Sequence, residues 1–276
     1  MAPVEREPAY ITEARRLEAA AGFDTAVTHM AADLRNFYRD NPLAARIFAD
    51  VGQLAIVSAI VAAPAPVSEA ALCRHVGAGA LASRQRVRRH LAKLREHGLI
   101  AFGSGDDLRA RPITPTTELE QQLSLWVCAL AQRAVPLFGL EDRLLRQPQL
   151  ARLYLSQIAA AHVRGFSAFA ATPNIARIVT LSRGHALAVE LLVATIEARD
   201  AVVAFSRRSF GATFGVSRTH VVDLLNECAK HGLLKLDDDA RLSLSSAFIA
   251  EARLWAAINF TLAGATLRGE LLNNLA

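Results

Sequence analysis

Apolar side chains recur at helical spacing over residues 11–40 (Leu17, Phe23, Val27, Met30, Leu34 and Phe37), which predicts one or two amphipathic helices. Asn41-Pro42 opens the next helix, with proline at a favoured first-turn position. It is expected to run to Ala63, where Pro64-Ala65-Pro66 stops it. Ser68 is placed to cap a short helix ending near His75, Gly77-Ala78-Gly79 makes a turn, and Ser83 caps a basic helix reaching His97. Two short apolar runs, 99–102 and 108–114, flank Gly103-Ser104-Gly105-Asp106-Asp107 and read as a hairpin. Beyond it the pattern predicts helices at about 118–138, 149–171, 185–199, 217–231 and 247–260, with a second hairpin over 233–244.

The chain contains an internal repeat. Ser83-Arg84-Gln85-Arg86-Val87 leads to His97-Gly98-Leu99-Ile100, and Ser217-Arg218-Thr219-His220-Val221 leads to His231-Gly232-Leu233-Leu234. Serine to serine (83 to 217) and glycine to glycine (98 to 232), the offset is 134. A capping serine, an apolar i, i+4, i+7 stripe, a stopping glycine and a short apolar run form one supersecondary unit, here present twice.

At 276 residues the chain has room for two domains, and 52% hydrophobic with 21% charged residues is a globular composition. Cys73, Cys128 and Cys228 are far apart and odd in number, which argues against disulfides or a zinc site and for a reducing, cytoplasmic setting. The start, MAPVEREPAY, has no apolar core and is not a signal peptide. The apolar run 51–63 is too short to span a bilayer, so a soluble protein without membrane contact is expected.

Helix, helix, turn, helix and hairpin is the order of a winged helix-turn-helix. Residues 205–221, ending in Lys230-His231-Gly232-Leu233-Leu234, resemble the helix-turn-helix of bacterial winged-helix transcription regulators. Residues 67–100 look like the equivalent region of the MarR-like branch, with four extra residues in the turn between Val76 and Ser83. The resemblance covers about 45–115 and 185–246. It implies a mainly α chain with tandem winged helix-turn-helix domains, each a three-helix core plus a β-hairpin wing, joined by scaffold helices. The expected division is 1–41 (N-terminal helices), 42–116 (DNA-binding domain 1), 117–184 (connecting helices), 185–246 (domain 2) and 247–276 (C-terminal helices).

Charge separates the copies. If Val87, Leu91 and Leu94 are buried, the first repeat helix turns Gln85, Arg86, Arg89 and Lys93 outward, flanked by Arg84 and Arg88. Arginine reads guanine and glutamine reads adenine in the major groove, so Arg86 and Arg89 are the expected base readers; Arg109 and Arg111 of the wing would reach phosphates or a minor groove. Residues 83–97 hold six basic residues and Glu96, as much net charge as the +5 of the whole chain. Over 217–231, Arg218 and Lys230 balance Asp223 and Glu227, and the second wing carries Asp237-Asp238-Asp239, which opposes phosphate.

Double-stranded DNA is therefore the expected partner and transcription regulation the expected role. A homodimer on a palindromic site and a small-molecule effector, held by aromatics such as Trp126, Phe138, Phe166, Phe169, Trp255 and Phe260, stay open. The closest rival is an architectural or replication-associated tandem winged-helix protein. An enzyme is the remoter one, since no catalytic constellation appears. No motif calls for a cofactor: Gly77-Ala78-Gly79-Ala80-Leu81-Ala82 matches a loose dinucleotide pattern but follows a helix, where that motif needs a strand.

Overall fold

The computed structural model describes residues 8–78, 81–104, 111–147, 149–163, 168–237 and 241–270. They are mainly helical, with two small antiparallel sheets. The N-terminal pattern resolves into α1 (Ala9–Glu18) and α2 (Phe23–Asp40), separated where Gly22 takes φ 91°, a left-handed conformation that glycine adopts without strain.

The single helix expected from Pro42 to Ala63 is instead two, α3 (Ala44–Ile47) and α4 (Val51–Ala62). Asp50 is the reason. Its backbone is extended and its Oδ1 accepts from the Gln53 amide at 2.9 Å, so it starts a new helix inside an apolar run. Ser68 and Ser83 cap α5 (Glu69–Ala78) and α6 (Arg84–Glu96), accepting from the amides of Ala71 and Arg86. Strands β1 (Ile100–Phe102) and β2 (Ile113–Pro115) pair antiparallel, Phe102 opposite Ile113, and Val67 bridges to Ile113 on the other side.

Helices α7 (Thr117–Leu137), α8 (Leu150–Val163), α9 (Ala168–Ala171) and α10 (Pro173–Val179) connect the repeats. Among them α10 is not legible in the apolar pattern, and the helix expected over 149–171 is seen as α8 and α9, with residues 164–167 outside the described ones. The second repeat comprises α11 (Gly184–Ala198), β3 (Val202–Ala204), α12 (Arg207–Phe214), α13 (Arg218–Lys230), β4 (Leu234–Leu236) and β5 (Arg241–Leu244). The last helix, α14 (Ser246–Leu267), continues a further two turns past the expected end at residue 260 because its apolar residues stay buried to Leu267.

The repeat is visible in the backbone. Helices α6 and α13 are both thirteen residues long, and both begin at a serine whose hydroxyl accepts from the amide three residues on. Both end at a glycine in the left-handed region, Gly98 at φ 67° and Gly232 at φ 68°. After each glycine the chain returns a hydrogen bond to the helix, Leu99 to Leu94 and Leu233 to Cys228. The strand order is also the same. β5 lies between β3 and β4, as β2 lies between Val67 and β1.

Buried side chains of both repeats and the connecting helices join in one core. Helix α2 packs on α7 and α11, α4 on α8, and α1 against α14 from the far end of the chain. Two bidentate ion pairs fix α2 between its neighbours: Arg35 with Glu190 of α11, and Arg133 of α7 with Asp33. At the other end, Glu251 accepts from the first amides of α10, Asn174 at 2.7 Å and Ile175 at 3.2 Å.

Candidate nucleic-acid interface

Helix α6 buries Val87, Leu91 and Leu94, the stripe read from the sequence, and also His90. The opposite side divides into free and engaged cations. Arg84, Gln85 and Arg89 are exposed and make no ion pair or hydrogen bond with other described residues. Arg84 and Gln85 belong to the first turn of the Ser83-capped helix, the end that a major groove admits first.

Three of the expected outward cations are tied down. Arg86 places Nη2 2.6 Å from Asp50 Oδ2, so this supposed base reader neutralises a carboxylate only 3% exposed. Arg88 pairs with Glu69 at 2.6 Å, and Lys93 Nζ donates to the Arg46 carbonyl at 2.9 Å. The last contact brings in a residue that sequence reasoning missed: Arg46 of α3, exposed, beside the Arg89–Lys93 side of α6. Forty-seven positions separate it from Lys93, and no local pattern connects them. Arg111 is half-buried just before β2, on the tip side of the hairpin, and has an interaction of its own; Arg109 lies outside the described residues.

The Arg86–Asp50 pair yields a stability prediction. Arg86→Ala leaves a buried carboxylate uncompensated and should cost about 2 kcal/mol, below the usual figure for a fully buried pair because Arg86 is 37% exposed. Adding Asp50→Asn removes the charge and should recover most of the loss. Urea melts of the wild type, both single variants and the double variant measure the coupling. Additive losses would mean that the two side chains act independently.

In the second repeat, α13 buries Val221, Leu224, Leu225 and Cys228. Its expected outward face is partly consumed within the protein. His220 Nε2 lies 2.9 Å from the Ser182 carbonyl, and Glu227 contacts both Lys230 and His231. Thr219, Asp223 and Asn226 remain exposed, and none is cationic. Asp237 accepts from the Ser243 hydroxyl at the base of the hairpin, while Asp238 and Asp239 lie outside the described residues.

The two repeats meet behind this surface at Arg183, a buried side chain at the start of α11. Its Nε donates to the Phe214 carbonyl at 2.9 Å and its Nη2 to the Ala45 carbonyl, and the guanidinium stands 4.9 Å from the Tyr38 ring centroid. The Tyr38 hydroxyl is 2.8 Å from both the Phe48 carbonyl and His185 Nε2. A carbonyl can only accept, so the phenol donates to Phe48 and takes a hydrogen bond from Nε2–H, which fixes the neutral tautomer of His185.

The thiols show no activation. Burial pushes all three upward, Cys228 to about 12, the opposite of a redox-sensing cysteine. Cys73 is half-buried rather than core. Among the described residues no group of three or more His, Cys, Asp or Glu could hold a metal ion, and no helix is long and apolar enough to cross a membrane. Helix α5 runs through Gly77 to Ala78 rather than ending near His75, so the first glycine of the loose dinucleotide motif is helical and not part of the expected turn; Gly79 and Ala80 lie outside the described residues. Comparison of the chain with protein-family models, curated proteins and solved structures finds no match.

Proposed function

We propose that this chain is a sequence-specific double-stranded-DNA-binding transcription regulator made of tandem winged helix-turn-helix domains, with α6 as its recognition helix. The observation that carries the reading is the exposed, unpaired set Arg84, Gln85 and Arg89 on a serine-capped third helix, with Arg46 alongside. Arg89 offers paired donors to a guanine edge and Gln85 one donor and one acceptor to an adenine edge, while Arg46 and Arg84 have the reach for phosphates. In this reading the hairpin β1–β2 is the wing and the repeat built on α13 is a pseudo-subunit, its helix carrying no net charge and its His220 and Glu227 engaged within the protein.

Recovery of bound genomic fragments, followed by motif extraction, tests the proposal. A short recurring motif is the expected result. Salt-sensitive retention without sequence preference would favour the architectural reading instead.

The acidic wing supplies a second test. Converting Asp237, Asp238 and Asp239 to Asn should strengthen binding to a random duplex and steepen its salt dependence, because three negative charges near phosphates are removed. Titration at two salt concentrations, triple variant against wild type, measures it. An unchanged slope would place this wing away from DNA.

A further inference from the structure

Between α2, α4, α7, α8, α11 and α14 lies a cavity of about 240 Å³. Native interiors carry few voids larger than a water molecule, and an engineered apolar cavity of about 150 Å³ is enough to bind benzene. Seven aromatic side chains form its walls: Phe37, Tyr38, Phe48, Trp126, Tyr154, Phe169 and Trp255. Three of them, Trp126, Phe169 and Trp255, are among the scaffold aromatics picked out in the sequence. Of the others, Phe260 is fully buried against Phe23, Phe138 is covered by Arg268, and Phe166 lies outside the described residues.

The polar groups on the wall define what fits. Both oxygens of Asp33 are taken by Arg133, and both oxygens of Asp50 by the Gln53 amide and Arg86. Burial keeps the His185 ring neutral, His75 has an interaction of its own, and among the described residues no arginine or lysine lines the space. No free cation is therefore available to a carboxylate or phosphate, and no free anion to an amine. Of the fully buried side-chain polar atoms on this wall, one has no hydrogen-bond partner among the described residues. Tyr154, 1% exposed, has a hydroxyl with no hydrogen-bond partner, an arrangement that a ligand atom would repair.

We infer that this cavity is the binding site for a neutral aromatic small molecule of two to three rings, hydrogen-bonded to the Tyr154 hydroxyl and coupled to α6. The coupling, which rests on the DNA-binding reading, follows from shared walls. His75, Val76 and Leu81 line the cavity from α5 and the turn into α6. Asp50 faces it while holding Arg86, and Gly52 admits the Leu81 carbonyl so closely that a Cβ there would sit 2.5 Å from it. A ligand that displaces the start of α4 must move the partners of α6.

The test uses the full chain and the uncharged fluorophore N-phenyl-1-naphthylamine. Saturable fluorescence at one probe per chain, with a rise in melting temperature, is expected. Ala59→Phe and Ala129→Leu fill the cavity from α4 and α7 and should weaken probe binding at least about tenfold, and Tyr154→Phe about three- to tenfold. No saturable binding, no melting shift in the wild type, or undiminished binding in a filled variant that retains its helical circular dichroism would overturn the site. Saturating probe should change affinity for duplex DNA by about fivefold or more. Unchanged affinity with probe bound would overturn the coupling alone. Absence of duplex binding with the probe still bound would overturn the DNA-binding reading and leave the site standing.

Discussion

Replacing Arg84 and Arg89 together with alanine should weaken binding to the cognate duplex by roughly a hundredfold or more while leaving the melting temperature unchanged. Both side chains are exposed and make no ion pair or hydrogen bond among the described residues, so their removal should cost the fold little. Each base or phosphate contact is worth roughly 1–3 kcal/mol, and the two act from one helix face. Arg86→Ala should behave differently, because its main partner is Asp50 and its loss registers first in stability. Changing Arg218 and Thr219 on α13 should alter affinity by no more than about threefold. Gel-shift or anisotropy titrations of the three sets at one salt concentration, with melts of each, separate reading from folding. Equal losses from the α6 and α13 sets would mean that both repeats read DNA.

Stability should fall by about 4 kcal/mol between pH 7 and pH 5, before most carboxylates begin to titrate. Two histidines are responsible, His90 buried and His185 half-buried. His90, inside α6, is pushed down to about 4 by burial, with Lys93 and Arg86 adding to the effect. His185 is pushed down to about 3, again chiefly by burial, with Arg183 contributing. Neither ring nitrogen of His90 has a hydrogen-bond partner among the described residues. The unfolded chain takes up a proton at each histidine near pH 6.5 and the folded chain does not. Stability is therefore complete above that value and drains away as pH falls toward the folded values, at up to about 1.4 kcal/mol per pH unit for each group. Urea melts at pH 7, 6 and 5 measure it. His90→Leu should raise stability at pH 7 by about 1 kcal/mol, by removing two unpaired polar atoms, and should halve the slope. A flat profile between pH 7 and 5 would show that both rings reach water.

Short-range features were legible in the sequence and long-range ones were not. Ser83 and Ser217, Gly98 and Gly232, and the i, i+4 stripes between them are local chemistry, and the helices form where they point. Strand β3 escaped because Val202-Val203-Ala204 is too short to show alternation, and its pairing with Ser243-Leu242-Arg241 is set by tertiary contact. The break before α4 was hidden because one aspartate in an apolar run reads as a lapse in the pattern until its side chain is seen on the Gln53 amide. Arginine counting found the basic helix but could not tell a free guanidinium from a paired one. The partner of Arg86 stands thirty-six positions away and that of Lys93 forty-seven, distances over which a helical wheel says nothing. The cavity is a property of many helices at once. Sequence could offer only the aromatics that line part of it.

The most direct measurement is titration of a fluorescent duplex, carrying the motif recovered from bound genomic fragments, with wild type and with Arg84→Ala/Arg89→Ala across a range of salt. The account predicts tight binding by the wild type, a loss of roughly a hundredfold in the variant, and a shallower salt slope there because fewer counterions are released. A variant that binds as tightly as the wild type, with the same slope, would contradict it.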